Sequence, residues 1–422
     1  MTRTTGTTPI FMTFFAMGFA DALGPFVSLA GHQFHLSIVV AQLIPFTGYA
    51  MFGLFSIPAG VLQARTSRKR VLSLGLISML LAMLIPVTVG MPSLPIFLAT
   101  ALLMGIGATL LQVSSAPLLQ DASPPGKFTQ RLLSAQCLHC VGALSGPLIP
   151  AIAALALGAD WGIVFPLYAA GVAITLIAVR IGVPRRARPA PASAAPDRCT
   201  FSSVPRLLKK RPVAIGAAAL VAYMGAEITV GSQIPLFLHA SFGYDNTRIG
   251  LLGTAVFVLA LACGRLTGSF LLIRMHRSTL LRLSCVTATL GFAIVFVPLT
   301  PVVAAGFILI GLGCANVFPV VLAITLDKTS PQETDAVSSI LTMTIGAGAA
   351  IPLLAGFLAD EAHTVRDALL LPLVTFVGLT VLAFRTERDR RGEPSRRRPH
   401  AGCATDAAVM GGTPQPRIAD RR

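Results

Sequence analysis

Apolar residues along this chain gather into twelve runs of about 20 residues each, separated by short polar stretches. The runs cover about 9–30, 39–62, 71–90, 95–119, 131–157, 162–182, 212–240, 247–272, 279–298, 301–325, 334–359 and 366–384. A helix of that length crosses roughly 30 Å of hydrocarbon. Only structures that close their own backbone hydrogen bonds can lie in lipid, and no ten-residue alternation of apolar and polar positions suggests a barrel. The pattern predicts an all-α membrane protein of twelve transmembrane helices.

One long polar interruption, VPRRARPAPASAAPDRCTFSSVPRLLKKR at 183–211, divides these runs six and six. Rich in Pro, Ala and Arg and without an apolar face, it reads as a linker lying on an anionic membrane surface. The expected organisation is an N-terminal half at 1–182, this linker, a C-terminal half at 212–384, and a disordered basic tail at 385–422. The halves repeat at an offset near 206 residues: LMGIGATLL (103–111) answers LIGLGCANV (309–317), and Asp121-Ala-Ser-Pro answers Asp327-Lys-Thr-Ser-Pro. GALSGPLIPAIA (142–153) answers GAGAAIPLLAGF (346–357), and MGFAD (17–21) answers MGAE (224–227). Matches in the same direction and order imply parallel repeats about an axis along the membrane normal.

Charge refines the picture. The chain has 54% hydrophobic and 12% charged residues, about half the charged share of a soluble protein. Its net charge of +16 would suit nucleic acid, but the placement argues against it. Cations fall in alternate loops: Arg65 to Arg70, Lys127 with Arg131, Arg180 to Arg211, Arg274 to Arg282, and the tail from Arg385. The intervening loops hold Arg248 and Arg366, so both termini are expected on the cytoplasmic side of an inner membrane. The first apolar run carries Asp21 at its middle and reads as a span, not a cleaved signal. Seven scattered cysteines suggest neither a disulfide frame nor a metal site, and Cys137 and Cys140 read as small packing residues. No GxxxxGK[ST] occurs, so neither ATP drive nor any other cofactor is expected.

The candidate chemistry lies in the polar positions that the apolar runs tolerate. Asp21 and Glu227 stand at matching points of the two halves, and an acid at that depth usually faces an aqueous path for substrate or protons. Pro25, four residues after Asp21, predicts a kink and a free carbonyl at Asp21. A cation holding either acid for packing is the bland alternative, but the cations counted in the loops leave none at similar depth. Gln112, Ser114 and Ser115 lie in the fourth run, Gln136 and His139 on one face of the fifth. Glu227, Thr229, Ser232 and Gln233 crowd the seventh, and Asn316 lies in the tenth. These amides and carboxylates suit a polyhydroxylated ligand, whose hydroxyls both donate and accept. With one Trp and four Tyr, a stacking platform for sugar rings is thin, and Tyr49 and Tyr223 are the nearest candidates.

The segments YMGAEITVGS (223–232), LLQVSSAPLL (110–119), RLLSAQ (131–136), GLGCANVFP (311–319) and IPLLAGFLAD (351–360), in that relation, resemble the fucose–galactose–glucose:proton symporter family of the major facilitator superfamily. PAGVL (58–62) and the basic residues after it resemble the superfamily's GxLxDRxGRK loop, with Ala64 where the acid usually stands. The resemblance spans roughly 11–384 and implies proton-driven sugar uptake by alternating access. It assigns Gly60, Arg65, Arg68 and Lys69 to a gating loop whose cations pair with helix ends or with acids of the neighbouring half. Gln136 and Glu227 match the pattern directly. Asp21 lies one turn before the position where the family places its acid, which is Gly24 here, and His139 replaces an asparagine.

These readings converge on a secondary transporter, not an enzyme, acting as a monomer and moving a monosaccharide or related polyol with a proton. Asp21 and Glu227 are assigned to proton coupling. Gln112, Gln136, His139, Asn316, Gln233 and Tyr49 are assigned to substrate. A proton/drug antiporter exporting a cationic or polyhydroxylated product fits the same acids, and a sugar sensor signalling through the tail is a further alternative.

Overall fold

Each of the twelve apolar runs is helical in the computed structural model, which describes residues 7–91, 93–124, 128–157, 160–183, 203–245, 248–330, 333–362 and 369–392. The first half comprises α1 (Thr7–Gly18), α2 (Phe26–Phe34), α3 (Ile38–Ala41), α4 (Leu43–Arg65), α5 (Arg68–Val89), α6 (Leu94–Asp121), α7 (Phe128–Ile152) and α8 (Val164–Gly182). A short α9 (Ser203–Leu208) precedes the second half. That half contains α10 (Arg211–Phe242), α11 (Ile249–Arg274), α12 (Arg277–Ile294), α13 (Thr300–Cys314), α14 (Val317–Leu326), α15 (Thr334–Gly348), α16 (Ala350–Ala362) and α17 (Leu370–Gly392). Among the described residues no strand occurs, as expected where lipid offers backbone groups no partner.

Nine helices among the described residues are long and apolar enough to span a bilayer by themselves. The first run is a broken span, Thr7–Leu23 and Phe26–Phe34 meeting at 41°. The 279–298 run begins earlier, at Arg277, because His276 accepts from the Ser278 amide and caps the helix there. The last helix runs eight residues beyond the expected limit of 384, to Gly392. Most of the linker (184–202) and of the tail (393–422) lies outside the described residues. The linker's end does have an apolar side, since α9 buries Leu207 against the bundle.

The outer surface is what lipid requires. Ile181 is 81% exposed and Ile273 72%, positions that would be costly in water and are at home in hydrocarbon. Within the first half α4, α5 and α6 pack together while α1 lies against α7. Within the second half α12 packs on α13 and α10 on α15. The halves meet where α7 packs along α11, α4 along α15, and α2 touches α10.

On the basic face the two halves repeat one ion pair. Arg68, opening α5, donates to Asp121 at the end of α6 (2.6 Å), and Arg277, opening α12, donates to Asp327 just after α14. Lys69 donates to the carbonyls of Arg180 (3.0 Å) and Val183, neutralising the negative end of α8. Arg68 and Lys69 thus bond helix ends, one of the two kinds of partner expected for these cations. Gly60 is buried inside α4, and Arg65 is exposed at its end.

Candidate functional site

Asp21 lies on a single tight turn, Phe19–Leu23, inserted between α1 and α2. Pro25 kinks the chain as its missing N–H dictates, but the Asp21 carbonyl is not left free. The Gly24 amide, three residues on, donates to it at 3.2 Å, because the tightening of the turn brings that donor within reach. The turn displaces the Asp21 side chain toward the middle of the bundle, where 38% of it remains exposed.

Two contacts hold that carboxylate. His139 of α7 places Nε2 2.7 Å from Asp21 Oδ2, and the Tyr49 hydroxyl of α4 donates to Oδ1 at 3.2 Å. The approach of α7 depends on glycine. A Cβ on Gly142 would fall 2.1 Å from the Phe15 carbonyl, and one on Gly18 would fall 2.1 Å from the carbonyl of His139. Backbone therefore meets backbone along this seam, and the imidazole is carried to the acid.

The second acid faces an arginine that the loop-directed count of cations had not placed at this depth. Arg265 stands well inside α11 and is 5% exposed. Its Nη2 lies 3.8 Å from Glu227 Oε1, and its Nε donates to the Ala315 carbonyl at 3.3 Å. Across the interface its Nη1 donates to both the carbonyl oxygen and Oε1 of Gln136, each at 3.1 Å. Arg265 is thus the charged cavity residue that reading the sequence missed. Its signal was available: nine residues separate it from the helix end at Arg274, too many for the side chain to reach the basic loop.

Asp21, Tyr49, Gln112, Gln136, His139, Glu227 and Arg265 line one cavity between the halves, with Tyr223 and Thr254 beside them. Its atom-free space of about 970 Å³ includes the open solvent at its mouth. Apolar groups such as Phe52, Phe257 and Phe318 make up much of the wall. Counting the acids as ionised and the imidazole as neutral, the lining carries two negative charges and one positive.

Two expected ligand residues are elsewhere. Asn316, 4% exposed, does not line the cavity; its Nδ2 donates to the Gly264 carbonyl (3.1 Å) and pins α14 to α11. Gln233 is wholly buried in α10, away from the cavity wall, and neither amide atom has a partner. Among the described residues no cluster of His, Cys, Asp and Glu has the form of a metal site.

With this geometry in hand, comparison with known proteins is informative. The sequence model of the Major Facilitator Superfamily matches residues 10–245 and 215–415. Over 387 residues the chain is 26% identical to a glucose/galactose transporter of Brucella abortus biovar 1 (strain 9-941), covering 87% of this chain and 91% of that protein. An uncharacterized transporter of Sinorhizobium fredii (strain NBRC 101917 / NGR234) is 30% identical over 153 residues, 36% of this chain and 40% of that protein. Among solved structures, that of the E. coli fucose:proton symporter matches with a TM-score of 0.68 at 20% identity, covering 90% of this chain and 98% of that one. A structure of such a transporter in the outward conformation gives 0.69 with the same coverage. At that identity the likeness establishes the arrangement of helices.

Proposed function

The chain belongs to the Major Facilitator Superfamily, and on that footing we propose that it carries a monosaccharide or related polyol together with a proton across the inner membrane. It is a multi-pass membrane transporter and not an enzyme. The observation that carries the proposal is the meeting of Asp21 and Glu227, one from each half, at a single cavity that also presents the amides of Gln112 and Gln136. Acids at bundle depth mark ion and substrate paths. Amide side chains match hydroxyl groups, which donate and accept at once. The relatives, a glucose/galactose transporter and a fucose:proton symporter, point the same way.

In this reading Asp21 takes a proton from the outer side, and the sugar bridges Gln112 and Gln136 of the first half to Glu227 of the second. Arg265 sits at the joint between halves, so ligand contacts with Gln136 or Glu227 change what holds the joint together. The halves then rock about the bound ligand, with both termini cytoplasmic and a single copy sufficient. The repeated ion pairs Arg68–Asp121 and Arg277–Asp327 keep each half rigid at its basic face during the movement.

The test is uptake of labelled hexoses, deoxyhexoses and polyols into proteoliposomes, with and without an acid-outside pH gradient. Accumulation of one compound under the gradient alone is expected. Entry without gradient dependence would make the protein a uniporter. If no sugar moves, while cationic drugs exchange for protons in the same vesicles, the reading gives way to export.

A further inference from the structure

We propose that the transported proton is held by Asp21 and His139 acting as one unit, with the imidazole as part of the proton carrier and not a ligand for sugar. This rests on the proton-coupled reading above and names the group that does the coupling.

The geometry sets the protonation states. Two bare lone pairs do not sit 2.7 Å apart, so a proton occupies the gap between His139 Nε2 and Asp21 Oδ2 at all times. In the unloaded pair, Nε2–H donates to the carboxylate, Nδ1 is bare, and the pair carries one negative charge. A single added proton brings the pair to neutrality, as imidazolium with carboxylate or as imidazole with carboxylic acid. Nδ1 is buried and has no partner, so nothing in the protein competes with a proton for it. The Tyr49 hydroxyl, donating to Oδ1, orients the carboxylate toward the ring. The contact is built into the fold, because Gly18 and Gly142 bring the backbones of α1 and α7 together on either side of it.

The other titratable and charged groups facing this cavity are Tyr49 on α4, Cys140 on α7, Glu227 and Tyr223 on α10, and Arg265 on α11. Glu227 and Arg265 offset one another, so the net charge of the closed site follows the Asp21–His139 pair. Unloaded, the site holds one uncompensated negative charge; loaded, it holds none. Enclosing an uncompensated charge in low dielectric is costly, whereas enclosing a neutral site with a neutral sugar is not. Loading the pair therefore licenses the rocking step.

The direct test uses the purified protein in lipid nanodiscs with ¹⁵N-labelled histidine. The chain has seven histidines, and the His139 signal is the one missing from H139N. The expected result is a ring signal that changes form as the sample is acidified, and that does so differently in D21N. A signal that keeps one form throughout, or titrates identically in D21N, overturns the proposal.

Transport supplies the second arm. With labelled galactose as probe, H139N is expected to lower the ratio of gradient-driven accumulation to equilibrium exchange at least about tenfold, with H139Q as a second variant should H139N fold poorly. A wild-type ratio in the variants that fold overturns the proposal. If the wild-type protein itself accumulates no sugar under a gradient, the symport reading fails, and the nanodisc titration still decides whether the pair takes up a proton as a unit.

Discussion

The Arg265 guanidinium reaches across the interface between the halves and donates to two oxygens of Gln136, the backbone carbonyl and Oε1, both at 3.1 Å. Glu227 lies 3.8 Å from the same guanidinium, on the arginine's own half. One buried cation is therefore shared between an acid on its side and an amide on the other.

Replacing Arg265 by alanine leaves Glu227 without its neighbouring cation and Oε1 of Gln136 without its donor. Glu227 keeps 20% of its side chain exposed, so the loss should be about 1–3 kcal/mol, and R265A should unfold at lower denaturant or temperature in detergent. R265A/E227A should recover a large part of that loss. Strictly additive losses in the double variant would show that the two side chains are not coupled.

The seam between α1 and α7 should tolerate no side chain. G142A places a Cβ 2.1 Å from a backbone carbonyl, which side-chain rotation cannot relieve. Overpacking of this kind costs about 1–3 kcal/mol, and the helices must separate, lengthening the Asp21–His139 contact. G378A, where nothing lies within 4 Å, is the control and should change stability by no more than about 0.5 kcal/mol. Thermal unfolding of the two variants side by side decides the point.

The repeated pairs on the basic face are partly exposed: 29% and 35% of the side chains for Arg68 and Asp121, 39% and 58% for Arg277 and Asp327. Water and salt screen such pairs, so D121N and D327N should each lower stability by at most about 1 kcal/mol. The loss should shrink between roughly 0.01 and 1 M salt, over which the screening length falls from about 30 to 3 Å. An effect several times larger and indifferent to salt would mean that these acids do more than brace their own half.

Asn316 and Gln233 separate scaffold from site. N316A removes the donor to the Gly264 carbonyl and should cost about 1–3 kcal/mol of stability while leaving the KM of any transported sugar unchanged. Q233L replaces an amide with no partners by an apolar group of similar size and should be neutral or stabilising. A rise of tenfold or more in KM for either variant, measured in the uptake assay, would return that residue to the ligand site.

The features legible along the chain are those governed by local physics. Lipid leaves the backbone no partners but its own, so a run of about 20 apolar residues becomes a helix whatever surrounds it. For the same reason Asp21 and Glu227 stood out: their cost in hydrocarbon depends on depth along their own helix, and that depth can be counted. Arg265 is countable in the same way, since its depth in α11 is as plain in the sequence as theirs.

The tertiary structure alone decided which way each polar side chain faces and what meets it. His139 touches Asp21 because three glycines' worth of missing side chains on α1 and α7, at Gly18, Gly142 and Gly146, let two backbones close together. Asn316 faces α11 and Gln233 the packed interior of α10's surroundings, though both sit at depths where a ligand contact was reasonable. Helix rotation and crossing are set by packing between segments far apart in the chain, and no periodicity within one helix records them.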